Sequence, residues 1–527
     1  MDRQAEDLFK HHVPKLLQCC TETEYSYREM LSTEINSILD EIGYSEEKIK
    51  EHVQHFTKVQ RAKVLWHRKF QESYPPQDRT DSVIVGSQVE GSMLYDSSDI
   101  DGLIILYIPQ AYEAVTECVR AEEDSLVIDT HLVPPGYCML KSNKPDTTNT
   151  MKSYVSSHEF LTQIADLNSD VSDGGPFLHV THSSVHGPSV PLTFNRKNTS
   201  FRRQNFSADQ AIAIRCHYPS VLKVWKHRLR PYSWPTTEIL DKVAAMPVFV
   251  VPISEKGSSF EDLQWRFCFN FGEIILTHSW NNIQMKIFIL LKMISVQLLK
   301  PICDDITSFV MKNIVFWLAE TKPMHEFNPS KVIDRLTDAL TMLRDAIQAK
   351  KLCYYMIPER NLLAGKVNDI QQKELIDFLN HMITNHGQEF VKLHISGESV
   401  DKETQSMAKI KSKFVSMYVC NLEDRYESLF MIPFTTEELA TKLEEGNYNH
   451  FGGHYSILSW RLFVTAFRNI FQVYQRFGLK LFYDPHGINH ESVIDTEIDV
   501  DDYSMWICDT CQVYSNRDKE LTVCYMT

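Results

Sequence analysis

The sequence lacks several features that would each define a class of protein. Its 54 lysines and arginines are outnumbered by 69 aspartates and glutamates, giving a formal net charge of −15, which argues against a chain that coats nucleic acid over its whole surface. Apolar residues make up 43% and charged residues 23%, which excludes a wholly disordered, collagen-like or coiled-coil chain. Internal repeats and low-complexity tracts are not apparent. The 527 residues therefore predict a folded protein of several domains or one large two-lobed unit.

Long apolar runs and clustered cysteines are also scarce. The longest apolar stretch, Met285 to Leu299, is interrupted by two lysines and a glutamine, and the chain starts with a polar segment. We therefore expect a cytoplasmic protein with no membrane contact. The 12 cysteines are scattered, as expected for free thiols in a reducing compartment. Cys508 and Cys511 form one CxxC pair without two further closely spaced ligands, so we expect no zinc there.

The spacing of apolar residues predicts a mixed front half and a helical back half. In the front half, helices are predicted over Tyr27 to Ile42 and Ser45 to Ser73. Four short β-branched or apolar runs predict strands, namely Ser82–Val85, Leu103–Leu106, Ala211–Ile214 and Val248–Val251. Five segments of the back half have helical spacing, namely Glu273–Trp280, Met285–Leu299, Ile306–Leu318, Lys331–Ala349 and Gln372–Ile383.

The most informative stretch joins a Gly-Ser turn to a pair of acids. Gly86-Ser87 follows a predicted strand, and Asp99 and Asp101 precede another. Residues two apart in a strand point to one face, so the two carboxylates would lie together and would need a divalent cation to offset their repulsion. Asp209, at the start of another predicted strand, is the candidate third acid. A glycine that admits close backbone approach and a serine that binds phosphate oxygen complete a site suited to displacement at phosphorus with two metal ions.

Each half of this motif is common on exposed turns when taken alone. The interpretation therefore depends on the flanking strands and on the third acid lying in a separate strand. With those, the residues favour phosphoryl chemistry over a pair of solvated turns.

These residues resemble a known family. Val85-Gly86-Ser87 with Asp99-Ile100-Asp101 is similar to the signature of cyclic GMP–AMP synthase, the cGAS-like receptors and the Mab developmental proteins, all nucleotidyltransferases. Three further blocks resemble the invertebrate branch, namely Val133–Tyr137, His186–Pro188 and Tyr354–Leu363. The resemblance covers about residues 60 to 390. It implies an α+β bilobal nucleotidyltransferase fold, with a mixed twisted sheet lobe packed on a helical lobe and a long N-terminal spine helix. It divides the chain into N-terminal helices (1–72), a core (73–300), a helical HhH/H2TH-like lobe (301–400) and an extension of unknown role (401–527).

The resemblance also implies site roles for individual residues. Asp99, Asp101 and Asp209 would be catalytic and bind two Mg²⁺ or Mn²⁺ ions, with ATP and GTP or another nucleoside triphosphate as substrates. Residues that would contact the nucleotides are Gly86 and Ser87 (phosphates), Lys292 and Ser308 (triphosphate), and Arg266, Glu273 and Phe309 (bases).

Three departures from the family pattern bear on specificity. Cys268 and Phe309 replace a serine and a tyrosine, which could change base choice while leaving the metal chemistry intact. The segment between His278 and the next helix has no inserted cysteines, so the zinc module of cyclic GMP–AMP synthase is expected to be missing. Within the family this implies a receptor closer to the RNA sensors than to a DNA sensor.

An activating nucleic acid would need a local basic surface. Basic residues of the spine helix supply one candidate, with loop residues and a cluster further along, namely Lys58, Arg61, Arg68, Lys69, then Arg196, Lys197, Arg202 and Arg203, then Lys223, Lys226, Arg228 and Arg230. Binding to such a surface would fall steeply with salt, and double-stranded RNA would be recognised by shape. Charged residues on long helices often form only a solvated face, which is the alternative.

The sequence therefore predicts an enzyme that makes a cyclic dinucleotide messenger from two nucleoside triphosphates. Double-stranded RNA is the favoured trigger over DNA, in innate immune signalling. A catalytically silent Mab-type scaffold and a template-free enzyme that adds linear nucleotides remain open as alternatives. The complete acid triad favours an enzyme.

Overall fold

The structure is a computed structural model that describes most of the first 384 residues. The described ranges are 23–71, 80–94, 100–113, 125–142, 153–162, 178–182, 189–196, 205–218, 220–255 and 257–384. Predictions that fall outside them include the place of Asp99, the basic residues Arg202 and Arg203, and the C-terminal extension 401–527.

Two helices open the described chain. Helix α1 spans Thr23–Leu39 and continues into a π-helical turn over Asp40–Tyr44, within which Gly43 adopts a φ of 102°. Helix α2 spans Glu46–Gln71, and the Ser45 hydroxyl accepts a hydrogen bond of 3.2 Å from the Lys48 amide at its start, as a helix-capping serine does. The long helix expected over Ser45 to Ser73 is therefore confirmed almost to its ends.

Nine strands lie within the described ranges and form the mixed part of the fold. Their bounds are β1 Thr80–Val85, β2 Ile100–Tyr112, β3 Leu126–Asp129, β4 Tyr137–Ser142, β5 Leu178–His182, β6 Ser189–Arg196, β7 Asn205–His217, β8 Val248–Val251 and β9 Gln264–Cys268. All four runs predicted as strands lie in β1, β2, β7 and β8. The remaining five strands were not predicted from the sequence.

The sheet closes on itself. Its order is β1-β2-β3-β4-β9-β8-β7-β6-β5, and β2 also pairs with β7 in parallel. Strands β2, β3, β4, β9, β8 and β7 therefore form a ring of six, while β1 on one side and β6-β5 on the other extend it. Closure is possible because β2 and β7 are each 13 residues long, so each has room for different neighbours along its length. The predicted mixture of helices and strands is confirmed, and the sheet is a closed ring, whereas a bilobal nucleotidyltransferase fold with a twisted sheet lobe packed on a helical lobe stays a prediction.

Helices make up the rest of the described chain. Helix α3 is a single turn over Ser87–Glu90, directly after β1. The later helices are α4 Lys223–His227, α5 Thr237–Ala245, α6 Asn270–His278, α7 Asn282–Ile294, α8 Ser308–Thr321, α9 Val332–Gln348 and α10 Asp369–Thr384. Short 3₁₀ turns lie over Glu261–Leu263, Met324–Glu326 and Pro329–Lys331. All five helices predicted in the back half are present.

Helix α7 forms the centre of the helical part. With the π-helical turn Ser295–Leu299 that follows it, it gives the one stretch, Asn282–Leu299, that is long and apolar enough to pass a test for a membrane span in the described ranges. Of this stretch, 72% is buried inside the protein. Its buried side chains include Ile287, Leu290 and Leu291, each fully buried in the core, so the fold itself accounts for the apolar composition of this helix.

Candidate active site

Two acids lie side by side where β2 and β7 pair. The parallel register places Asp101 of β2 beside Asp209 of β7, and adjacent strands lie only about 4.8 Å apart. Asp101 is partly buried. Its removal from water raises the pKa of its carboxyl group to about 7, and the nearby charges of Asp209 and Glu90 act in the same direction. Asp99, the third predicted acid, lies outside the described residues.

The acid pair suits a divalent cation. Negative charges from Asp209 and Glu90 disfavour ionisation of Asp101, and a bound cation would offset that repulsion. In the part of the chain that the structure describes, no group of three or more histidines, cysteines or acids is arranged to hold a metal. Two of the predicted triad are therefore together, and Asp99 would have to complete the set.

The Gly-Ser turn stands against this acid pair. Val85, the last residue of β1, pairs with Asp101, and Gly86 follows with a φ of 71°. A Cβ at Gly86 would overlap the Asp101 carboxyl group, whose Cγ would lie 3.0 Å away. Glycine is thus needed both for the positive φ and for the close approach. Ser87 then begins α3, so the predicted phosphate-binding turn and the predicted acids share one corner.

Two buried lysines lie close to that corner. Lys292 of α7 is 5% exposed, and its Nζ donates a hydrogen bond of 2.7 Å to the Ser92 carbonyl. Burial lowers its pKa to about 8, and the charges of Glu90 and Asp101 act in the opposite direction. Lys292 therefore lies within electrostatic reach of Asp101, as its predicted phosphate role requires.

Lys312 of α8 was not predicted and is the centre of an ion cluster. Its Nζ lies 2.6 Å from Glu90 Oε1 and 3.0 Å from Glu273 Oε2. The two carboxylates raise the lysine pKa despite its burial. The cluster joins α3, α6 and α8 behind the Gly-Ser turn. Its sequence signal was the position of Lys312 one turn after Ser308 on the same predicted helix.

The residues predicted to contact bases gather around Tyr354. The Tyr354 hydroxyl donates a hydrogen bond of 2.6 Å to Glu273 Oε1, so both oxygens of this buried glutamate are engaged within the protein. The ring of Phe309 lies 5.6 Å from that of Tyr354, and Lys312 Nζ lies 5.7 Å from the Phe309 ring. Ser308, at the start of α8, is exposed and therefore accessible to a ligand.

Arg266 and Cys268 lie on β9. Arg266 is half-buried and pairs across the sheet with Tyr137 of β4. The Cys268 thiol donates a hydrogen bond to Asn270 Oδ1, and burial raises the pKa of Cys268 to about 11. This cysteine is therefore a neutral thiol at physiological pH.

The predicted nucleic-acid surface is described only in part. Lys58, Arg61, Arg68 and Lys69 all belong to helix α2, but the structure does not describe their side chains. Arg202 and Arg203 lie outside the described residues.

The cluster from Lys223 to Arg230 is not an open basic face, contrary to the sequence analysis. Lys226 pairs with Asp241 at 2.7 Å, and Arg228 and Arg230 both pair with Glu320, at 2.6 and 3.1 Å. The Arg228 guanidinium also stacks on Trp317 and Tyr355, at 4.6 and 4.4 Å. Both arginines are neutralised by the buried Glu320. They therefore contribute to packing inside the fold rather than to a basic surface.

Comparison with known proteins identifies the helical part. Residues 284–382, from α7 to α10, match the family model described as the Mab-21 protein HhH/H2TH-like domain. The Mab-21 family includes cGAS-like nucleotidyltransferases. No curated protein matches the chain. The chain thus carries a Mab-21 C-terminal domain.

Proposed function

We propose that this chain is a metal-dependent nucleotidyltransferase that joins two nucleoside triphosphates into a cyclic dinucleotide. The observation that carries the proposal is the placement of Asp101 beside Asp209, with the Gly86-Ser87 turn packed against Asp101. The match of residues 284–382 to the Mab-21 domain supports it.

The residues divide the work between charge and position. Asp101, Asp209 and Asp99 would hold Mg²⁺ or Mn²⁺, which when bound supplies positive charge to phosphate oxygens. The Gly86-Ser87 turn would bind the donor phosphates through backbone N–H groups and the serine hydroxyl. Lys292 and Ser308 would hold the triphosphate.

The reaction that fits this arrangement is an in-line displacement. A ribose hydroxyl oxygen of the acceptor bonds to the α-phosphorus of the donor, the bond to the bridging oxygen breaks, and pyrophosphate leaves with that electron pair. The hydroxyl proton passes to solvent or to a carboxylate of the site. A second displacement between the ends of the linear product would close the ring.

The trigger and setting are part of the same proposal. Only Ser279, Trp280 and Asn281 separate α6 from α7, a short connection that supports the expectation of no inserted zinc module of the cyclic GMP–AMP synthase kind. This supports double-stranded RNA as the activator over DNA, bound along α2, and a cytoplasmic role in innate immune signalling.

The test is a product assay. The full chain is incubated with four labelled ribonucleoside triphosphates and Mg²⁺ or Mn²⁺, with double-stranded RNA, double-stranded DNA or neither, and products are resolved after phosphatase treatment. We expect a phosphatase-resistant dinucleotide with RNA, and its loss in Asp101→Asn, Asp209→Asn and the double variant Asp99→Asn with Asp101→Asn. Asp304→Asn is the matched control, because this acid is 90% exposed and remote from the cluster. Normal turnover in the double variant would disprove the proposal.

A second candidate is a catalytically silent scaffold that binds a nucleotide or a protein. It is favoured by the state of Glu273, whose two oxygens are each held by a partner within the protein, Lys312 and Tyr354, so that a base would have to share this carboxylate with them. The same assay separates the candidates, since a folded scaffold gives no product with any nucleic acid. A phosphatase-sensitive ladder would instead identify a linear polymerase.

A further inference from the structure

Arg360 is a buried cation without an acid. The residue is 7% exposed, and its guanidinium lies 5.2 Å from the ring centres of both Tyr137 and Tyr354. Within the described ranges, its side chain makes no hydrogen bond and no ion pair. The two aromatic faces offset part of the cost of burying the charge, but the N–H donors of the guanidinium remain available.

Arg266 lies next to it and also has no acid partner among the described residues. The antiparallel pairing of β4 with β9 sets Arg266 directly opposite Tyr137, so both side chains share the face on which Arg360 sits. No acid among the described residues pairs with Arg266. Burial lowers the pKa of Arg266, and the charge of Arg360 lowers it further, so the two guanidinium charges are near enough to disfavour each other.

Three other buried or half-buried arginines of the described chain are neutralised by acids. Arg228 and Arg230 share Glu320, and Arg335 pairs with Glu326 and Asp338. Arg266 and Arg360, two neighbouring arginines without an acid among the described residues, contrast with these three. Such an arrangement is costly unless an anion offsets it.

The backbone holds this pair in place from three segments. Gly136, with a φ of 86°, packs so closely on Arg360 that a Cβ there would overlap the arginine side chain, and its carbonyl accepts a hydrogen bond of 3.0 Å from the Phe267 amide. The Arg360 carbonyl accepts 2.8 Å from the Tyr354 amide. Two sequence blocks that the resemblance singled out, Val133–Tyr137 and Tyr354–Leu363, thus meet β9 at Arg360.

The pair lies beside the candidate active site. Tyr354 has Arg360 over its ring and Glu273 on its hydroxyl, and Glu273 in turn pairs with Lys312. Tyr354 therefore separates the two arginines from the ion cluster behind the Gly-Ser turn.

We propose that Arg266 and Arg360 form a phosphate-binding subsite that holds a phosphate group of the second nucleotide. The proposal rests on the function proposed above for its nucleotide, and it gives Arg266 an anion-binding role in place of base stacking. Guanidinium groups bind phosphate oxygens with paired N–H donors. A phosphate would remove the repulsion between the two arginines and satisfy their free donors together.

The test measures binding without catalysis. Isothermal titration calorimetry of the full chain in EDTA, at fixed ionic strength, compares AMP, adenosine and pyrophosphate as ligands of the wild type, Arg360→Met, Arg360→Lys and the control Arg344→Met. Arg344 is a surface residue paired with Asp345. We expect AMP to bind at least about tenfold more weakly to Arg360→Met, as loss of a charged hydrogen bond implies. Arg360→Lys should be intermediate, and adenosine should not distinguish the proteins.

The outcomes separate this subsite from the proposed activity. Equal AMP affinity in wild type and Arg360→Met, or no AMP binding by the wild type, overturns the subsite, and binding of pyrophosphate without AMP overturns its assignment to a nucleotide. If Arg360→Met lowers the melting temperature, Arg266→Met provides the same comparison. If the wild type forms no product in the turnover assay but binds AMP more tightly than Arg360→Met, the proposed enzyme activity is rejected and the phosphate-binding subsite is retained.

Discussion

At the scale of single residues, Asp101 shows how a buried acid lowers stability. Its pKa in the folded chain is about 7 against an ordinary 3.8, so the folded state holds a proton that the unfolded state releases. Stability therefore falls as pH rises from about 4 to about 7, by about 1.4 kcal/mol per pH unit for this group. Above pH 7 the full cost of the buried charge is present.

The variant Asp101→Asn removes this titration. In EDTA we expect it to unfold like the wild type near pH 4 and to be more stable by on the order of a few kcal/mol at pH 8, measured by urea denaturation across the pH range. Asp304→Asn should follow the wild-type curve throughout. A difference between Asp101→Asn and wild type that does not vary with pH would contradict the assignment.

Lys312 makes the opposite contribution, because it neutralises two buried acids. The variant Lys312→Met has a side chain of similar length but leaves Glu90 and Glu273 without their cation. We expect this to lower the free energy of unfolding by about 3–5 kcal/mol. The comparison is Lys350→Met, which removes a surface pair with the 94% exposed Asp369 and should lower stability far less, because solvent screens such a pair. Equal losses in thermal unfolding would show that the cluster is not a buried charge network.

The sequence predicted some of these residues and missed others for a physical reason. Gly86, Asp101 and Asp209 were identifiable because each lies at the edge of an apolar run and belongs to a local pattern. Lys312 and Arg360 were not, since what defines them is contact with Glu90, Tyr137 and other residues remote in the chain. The spacing of Lys312 one turn after Ser308 places both residues on one side of a helix, but it does not report which distant residues that side contacts.

At the scale of elements, the start of α7 depends on a reciprocal cap. The Asn281 side chain accepts a hydrogen bond from the Gln284 amide, and the Gln284 side chain accepts one from the Asn281 amide, both at 2.9 Å. Asn281 Nδ2 also donates to the Phe327 carbonyl at 2.9 Å. This residue therefore fixes both the helix and its contact with a neighbouring loop.

We expect Asn281→Ala to lower the free energy of unfolding by about 1–2 kcal/mol, the upper range for a helix cap. Thr236→Ala at the start of α5 is the matched comparison, because Thr236 accepts a single longer bond of 3.4 Å from Ile239 and should cost less. The midpoints of urea unfolding give both values. A larger loss at Thr236 would contradict the ranking.

Elements were predictable where one face or the whole of a segment is apolar. Strand β8 is buried along its length and was predicted to its exact ends. In contrast, β9 over Gln264–Cys268 mixes polar and apolar residues, and its strand conformation depends on pairing with β4 and β8. Closure of the sheet through β2 and β7 depends on such distant pairing and could not be predicted.

At the scale of the whole molecule, α1 ties the N-terminal part to the Mab-21 domain. Ile35 and Leu39 are fully buried, and the Ser32 hydroxyl accepts 3.1 Å from the Ile333 amide of α9. Lys286 of α7 donates 2.6 Å to Asp40. The matched domain 284–382 therefore uses a helix from outside its own bounds to cover its core.

A chain that begins at Ser45 should be less stable than one that begins at Thr23. The loss should exceed about 3 kcal/mol, since burial of each of the two apolar side chains contributes about 1.5–3 kcal/mol. Thermal unfolding of the two proteins measures the difference. Limited proteolysis tests whether the shorter protein exposes the α7 region that α1 covers. Equal melting temperatures would show that α1 does not support the domain.

The pairing of β2 with β7 also orders events in time. Asp101 and Asp209 become neighbours only when strands far apart in the chain meet, and such non-local contacts form slowly because a long loop must close first. Each helix of the back half closes its hydrogen bonds within a few residues of sequence. During refolding, helical ellipticity should therefore return before the amides of β2 and β7 become protected from hydrogen exchange, so the acid pair is among the last parts of the protein to be assembled.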